Sequence, residues 1–142
     1  MKHMFYNTIE FNQPLNFDTS NVTNIKGMFS YAIKFNQPVN FDISKVTTMS
    51  YMFANTLEFN QNISKWNLDK VEKCNFMFDN ANAFLDKYNS GEPLPTNTND
   101  IIEWFNNNRE RMKMIDVKDK YGKEIDDFFK DIEGKNFTRN RY

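Results

Sequence analysis

Several residue types that build chemical sites are scarce in this chain of 142 residues. His3 is the single histidine and Cys74 the single cysteine, so an intrachain disulfide, a zinc site and a nucleophilic triad all lack the residues they need. The four glycines are not clustered, which argues against a phosphate-binding glycine loop. We therefore predict a non-enzymatic protein with no cofactor and no metal. An enzyme that uses only carboxylates is the disfavoured alternative.

Long apolar runs and a strong charge of one sign are also missing. A transmembrane helix needs roughly 18 or more apolar residues in succession, and no such run occurs. No positively charged start followed by an apolar stretch marks a signal peptide in this sequence, so the localisation stays unknown at this stage. The formal net charge of −1 gives no field that would attract nucleic acid or a membrane surface. We expect no nucleic-acid partner and no transmembrane segment.

A pattern of methionine and phenylalanine recurs along the first half of the chain. It occurs as Met4-Phe5 with Phe11-Asn12-Gln13, Met28-Phe29 with Phe35-Asn36-Gln37, Met52-Phe53 with Phe59-Asn60-Gln61, and Met77-Phe78 with Phe84. The step is 24 residues twice and then 25, because the third unit has one extra residue near Ser64 and Lys65. A fixed period of this size is typical of units that stack on their neighbours to bury a shared core. Residues 1–88 are therefore predicted to form about three and a half repeats.

Two different periodicities within each repeat predict its secondary structure. One set of apolar residues has the spacing of a helix face: Val22, Ile25, Met28, Phe29, Ala32 and Phe35. Apolar and polar residues alternate over 14–18, as in a half-buried strand. One short parallel strand plus one short helix per 24–25-residue repeat gives an α/β, leucine-rich-repeat-like solenoid. Asn12, Asn36 and Asn60 are interpreted as turn residues that bond local backbone groups.

The repeat resembles that of a known family. Residues 11–29, Phe-Asn-Gln-Pro-Leu-Asn-Phe-Asp-Thr-Ser-Asn-Val-Thr-Asn-Ile-Lys-Gly-Met-Phe, are similar to the unit of the mycoplasma-type, BspA-like leucine-rich-repeat surface proteins. The resemblance covers residues 1 to about 88 and implies a surface or secreted location, a role in attachment, and a protein or glycan partner. It supplies no catalytic residues. Abundant asparagine, phenylalanine, lysine and isoleucine separately indicate an AT-rich genome.

The C-terminal third of the chain has a different character. Residues 89–99 contain proline and glycine without periodicity and are predicted to be a linker. Residues 100–142 are predicted to be a helical cap and tail, since an open end of a repeat array needs a cover. The apolar stripe of the cap contains Ile101, Trp104, Phe105 and Met112. We also expect a small hairpin turning near Gly122 and a last short helix over Asp126–Glu133.

Two sets of residues are candidates for partner binding. The outward side chains of the predicted strands form a polar strip of Asn16, Asp18, Asn40, Asp42, Lys65 and Asn67. The incomplete first repeat leaves an apolar end with Met4, Phe5, Ile9 and Phe11. The first set predicts an interaction or attachment module. The second set predicts the alternative, a structural component of a viral particle or multi-protein shell that forms an oligomer or larger assembly through its N-terminal end.

Overall fold

The computed structural model describes the backbone of residues 1–140 and the side chains of residues 1–124 and 126–132. Two α-helices lie in this part of the chain, α1 at Asn82–Tyr88 and α2 at Thr98–Asn140. Residues 1–140 contain no β-strand; isolated parallel bridges join Asn24 to Thr48 and Thr48 to Lys73. The predicted α/β class, with one strand and one helix in each repeat, is therefore wrong. The prediction of a leucine-rich-repeat-like solenoid, which was defined by those strands and helices, is therefore also wrong.

Successive turns take the place of the helix that was predicted within each repeat. Gly27 and Tyr31, four residues apart, both adopt a left-handed backbone with φ of 59° and 60°. A residue in this conformation cannot continue a right-handed helix. The Met28 amide instead closes a turn by donating to the Ile25 carbonyl oxygen at 3.2 Å. Apolar residues spaced by three and four thus share one side of a row of turns, which explains why their spacing resembled a helix.

The remaining amides of this stretch bond the next repeat. Donor and acceptor pairs are Ile25 N to Thr48 O at 2.9 Å, Gly27 N to Ser50 O at 2.8 Å, and Phe29 N to Met52 O at 3.0 Å. Every second amide therefore closes a turn, and the amides between them hold two repeats together. This division leaves no amide for the helical bond to the fourth preceding carbonyl, since each already has a partner.

The segments predicted as strands are joined through side chains rather than a backbone ladder. The Asp42 amide donates to Thr19 Oγ1 at 2.8 Å, and the indole Nε1 of Trp66 donates to the Val39 carbonyl oxygen at 3.2 Å. Val39 is buried and Asn40 exposed, as the alternating pattern predicts. Alternation of burial needs only an extended chain against a core, and it does not require ladder bonds.

Two columns of phenylalanine rings form the centre of the core. One column contains Phe5, Phe29, Phe53 and Phe78, with neighbouring ring centroids 5.6–5.8 Å apart. The other contains Phe11, Phe35, Phe59 and Phe84, with centroids 5.8–6.1 Å apart. Within a repeat the two rings lie 4.1–4.3 Å apart. Each stacked pair adds about 0.5–1.5 kcal/mol beyond the burial of its area.

A ladder of asparagines runs beside these rings. Asn12 Oδ1 accepts the amide of Asn36 at 2.9 Å, and Asn36 Oδ1 accepts the amide of Asn60 at 3.0 Å. Gln61 Nε2 adds a second bond to Asn36 Oδ1 at 2.9 Å. The asparagine side chains therefore bond the following repeat. The prediction that they bond their own turn was wrong, because one sequence carries no sign of which neighbour will receive the bond.

Helix α2 is longer than the sequence predicted. It begins at Thr98, inside the predicted linker, and continues through Gly122, so the predicted hairpin and separate last helix are wrong. A single glycine costs a helix only about 1 kcal/mol relative to alanine. Of the predicted cap and tail, residues 141–142 lie outside the described residues.

The first part of α2 packs on the repeats through Ile101, Phe105 and Met112, which are buried. The first turn of α2 also bonds the last repeat, because Thr98 Oγ1 accepts a hydrogen bond from the Cys74 amide at 3.0 Å. No helix in the described part of the chain combines the length and the hydropathy needed to cross a lipid bilayer.

Candidate functional site

The six polar residues predicted for partner binding are all exposed. Three of them close turns by accepting a backbone amide two residues later: Asp18 from Ser20 at 3.0 Å, Asp42 from Ser44 at 2.9 Å, and Asn67 from Asp69 at 2.8 Å. The serine side chains and then the serine amides hold the pKa values of Asp18 and Asp42 below their usual range. These three residues shape the backbone, so they have a structural task besides any contact with a partner.

Two of the other predicted residues, Asn40 and Lys65, line a groove between the repeats and α2. The groove has a volume of about 610 Å³. Its wall on the α2 side contains Lys113, Asp116, Val117, Lys120 and Tyr121. Asn16 is not among the residues that line it. The three lysines outnumber the single carboxylate, which makes the groove locally cationic.

A set of polar bonds fixes α2 at the floor of this groove. The Tyr88 hydroxyl donates to Asp116 Oδ1 at 2.9 Å, and Lys87 Nζ lies 3.3 Å from the same oxygen. Burial acts to raise the pKa of Asp116, but the hydrogen bonds from Tyr88, Asn62 and Lys87 outweigh it and lower the pKa. Arg109 Nη1 donates to the carbonyl oxygens of the third repeat, one of them that of Trp66 at 2.6 Å.

The four residues of the predicted N-terminal contact lie at the end of the two phenylalanine columns. Met4 and Ile9 are 48% and 47% exposed. Phe5 and Phe11 are half-buried, because one face of each ring stacks on the second repeat. The described chain therefore presents an apolar surface at this end.

A row of aromatic side chains on the turn side of the repeats was not predicted as a site. We call it the aromatic strip, and it contains His3, Tyr6, Tyr31, Tyr51 and Phe76. Tyr6 meets Tyr31 edge to face at 6.0 Å, and Tyr51 stacks on Phe76 at 5.2 Å. Tyr6, Tyr31 and Tyr51 are 52%, 43% and 38% exposed. With Ser30, Asn55 and Asp79 they line a depression of about 300 Å³.

Most of the aromatic strip stands on left-handed backbone. Two columns of residues have φ of 54–60°: His3, Gly27, Tyr51 and Phe76 in one, and Asn7, Tyr31, Asn55 and Asn80 in the other. Glycine and asparagine adopt this conformation most readily. A bulky residue there costs roughly 1–2 kcal/mol. Tyr31 and Tyr51 therefore sit where a smaller residue would be less strained, a form of strain that is frequent at functional sites.

A recognisable sequence signal existed for this surface. The aromatic strip occupies positions that differ from one repeat to the next, as His3, Gly27, Tyr51 and Phe76 do. Positions that build a repeat scaffold are fixed by packing, so positions that vary are free to serve a partner. The sequence analysis expected partner binding on the outward side chains of the predicted strands. It placed the aromatic residues in the predicted helices and did not consider them as a site.

The comparisons with known proteins identify a family for most of the chain. No curated protein and no solved structure shows significant similarity to it. The family model described as "Mycoplasma protein of unknown function, DUF285" matches residues 1–91. The match spans more than half of the chain and includes all the repeats together with α1. The chain therefore belongs to this mycoplasma protein family.

Proposed function

We propose that the chain is a non-enzymatic attachment module that binds a protein partner through the aromatic strip. The observation that carries this proposal is the row of three exposed tyrosines across neighbouring repeats, of which Tyr31 and Tyr51 stand on left-handed backbone. The fold tolerates this strain although glycine or asparagine would relieve it. A function that needs the rings accounts for their presence.

The chemistry of the surface favours a protein partner. Tyrosine offers a large amphipathic contact area and loses little conformational entropy on binding, while serine and asparagine supply adaptable hydrogen bonds. Tyr6, Tyr31 and Tyr51 are accompanied by Ser30 and Asn55 in the same depression. Tyrosine is also enriched in the central parts of protein interfaces. The resemblance of the repeat to BspA-like surface proteins supports attachment as the biological setting.

The experiment compares two triple variants in attachment to cultured animal epithelial cells. The strip variant is Tyr6→Ser, Tyr31→Asn and Tyr51→Asn. We expect it to lose at least about tenfold in cell binding, because central tyrosines commonly carry 2 kcal/mol or more. Its melting temperature should stay the same or rise, since asparagine accepts a left-handed backbone. The matched control is Asn16→Ala, Asn40→Ala and Lys65→Ala, which removes predicted polar contacts without breaking a turn.

The outcomes separate the possible sites and partners. If the strip variant still binds cells and the control variant does not, the binding site lies at Asn16, Asn40 and Lys65, and the proposal for the aromatic strip is wrong. Treating the cells with protease should abolish binding if the partner is a protein. Sensitivity to glycosidase with resistance to protease would contradict the protein partner and identify a glycan.

A second candidate function is a structural or assembly role through the N-terminal end. The exposed Met4 and Ile9, next to the half-buried Phe5 and Phe11, favour it, because exposed apolar surface of this kind commonly marks an association site. In this case the mass in solution should depend on dilution, and Met4→Ser with Ile9→Ser should lower it. An unchanged mass in that double variant would contradict this role.

A further inference from the structure

The middle of α2 carries an apolar stripe that the repeats leave exposed. Met114, Val117, Tyr121 and Phe128 follow one another at helical spacing and form this stripe. Met114 is 65% and Phe128 60% exposed. The buried side chains of α2, Ile101, Phe105 and Met112, belong to the opposite face by the same periodicity. The stripe is thus a second apolar face, pointing away from the core.

Lysine predominates in the first half of the same helix segment and acidic residues predominate in the second half. Residues 113–123 contain Lys113, Asp116, Lys118, Asp119, Lys120 and Lys123, whereas residues 124–131 contain Glu124, Asp126, Asp127, Lys130 and Asp131. Two pairs of opposite charge are placed symmetrically about Gly122. Lys113 and Asp131 lie equally far before and after it, as do Lys120 and Glu124. Helical periodicity places these four residues along one flank of the stripe.

This symmetry matches an antiparallel pair of identical helices. In such a pair, related by a two-fold axis, each flank of one helix meets the same flank of the other. Lys113 and Lys120 would then face Asp131 and Glu124 of the second copy, and the reverse contacts would form too. In a parallel pair each flank would face the opposite flank of the other helix, and these contacts would not form. We propose that two copies of this chain associate through their α2 stripes as an antiparallel homodimer centred at Gly122.

One local feature fits a second copy at this position. Lys113, Lys120 and Lys65 line the cationic groove on the same flank of α2. The acidic half of the second helix would lie along this groove, with Phe128 against the apolar contact at Val117. The dimer thereby covers the groove and the stripe together.

Light scattering and sedimentation equilibrium of the full chain test the association. We expect a dimer at micromolar concentration. Lys113→Glu with Lys120→Glu should raise its dissociation constant at least tenfold, as should Glu124→Lys with Asp131→Lys. Mixing these two variants should restore dimers, since the reversed charges are again complementary. Lys2→Glu with Lys70→Glu, a matched charge change on the repeats, should leave the dimer unchanged. A monomer up to hundreds of micromolar, or no recovery in the mixture, would overturn the proposal.

Cysteine cross-linking tests the direction of the helices. Cys74 is buried, so an added surface cysteine is the accessible thiol of the described chain. Val117→Cys and Phe128→Cys should each fail to form a disulfide dimer alone, because equivalent positions are far apart in the antiparallel pair. Their mixture should form one under oxidation. A cross-linked dimer from Phe128→Cys alone would indicate a parallel pair and would contradict the proposed arrangement.

Discussion

The imidazole ring of His3 occupies the space that a side chain at Gly27 would need. A Cβ on Gly27 would lie 2.3 Å from His3 Cδ2 and 2.8 Å from His3 Nε2. Gly27 also has a φ of 59°, which favours glycine for a separate reason. The second repeat therefore has no side chain at Gly27, and the imidazole ring of His3 from the first repeat fills the space. This contact begins the aromatic strip.

Replacing Gly27 with alanine should test both the steric contact with His3 and the left-handed backbone of Gly27. Gly27→Ala should lower the free energy of unfolding by about 1–2 kcal/mol from the left-handed backbone alone, and by more while His3 is present. In a His3→Ala background the steric part should vanish. Urea unfolding of the two single variants and the double variant measures the coupling. An identical cost in both backgrounds would show that the imidazole moves aside freely.

The asparagine ladder should contribute to the stability of the stack. Asn36→Ala removes the acceptor of the Asn60 amide and of Gln61 Nε2. We expect a loss of about 1–3 kcal/mol, because a partly buried amide is left without its partner. Asn16→Ala, an exposed asparagine of the same repeat region, is the control and should change stability by less than about 0.5 kcal/mol. Equal losses in urea unfolding would contradict a structural role for the ladder.

The Cys74 thiol should be unreactive in the folded protein. It is fully buried, and burial raises its pKa to about 11. Since the thiolate is the reactive form, an aromatic disulfide reagent at mildly alkaline pH should react only after denaturant unfolds the chain. Asn16→Cys, at an exposed position of the first repeat, supplies a positive control with one exposed thiol. Rapid labelling of the native parent chain would show that the last repeat opens readily around Cys74.

Acid should weaken the attachment of α2 to the last repeat. The pKa of Asp116 is lowered in the folded chain, so its contribution is present above the ordinary carboxyl pKa of 3.8 and is lost as the pH falls through the lowered value. Asp116→Asn should therefore narrow the stability difference between neutral and strongly acidic pH. The measurement is urea unfolding across that range. A parent and variant with parallel pH profiles would contradict this assignment.

The same contact can be tested from the tyrosine side. Tyr88→Phe removes the hydrogen bond to Asp116 while keeping the buried ring, and should cost about 1–2 kcal/mol. Tyr6→Phe, which alters an exposed hydroxyl, is the matched control and should have little effect.

The sequence predicted the repeat period and much of the core but not the local structure. Phe29, Phe35 and Phe53 were aligned correctly and are fully buried. Their spacing is the same for a row of four-residue turns as for a helix face, so periodicity could not separate the two. Gly27 and Asn55, both poor residues for a helix interior, were the available sign that left-handed turns recur at these positions.

The candidate sites were harder to predict because they depend on long-range packing. Asn40 and Lys65 were selected as exposed residues, yet the groove they line exists only because α2 folds back against the repeats. Asp18 and Asp42 were selected for the same reason, and their turn bonds are visible only in three dimensions. The exposed tyrosines were not selected because the expected partner-binding surface was assigned to the predicted strands.

The alternation of amides between turn closure and the neighbouring repeat has an evolutionary consequence. Inserting one residue between Ile25 and Ala32 would exchange the two roles for every following amide, and the whole row of contacts would fail together. The extra residue of the third repeat lies instead near Ser64, where side chains make the connections. Growth or shrinkage of a repeat is therefore tolerated on one side only, and new loops can be added there while the aromatic side keeps its length.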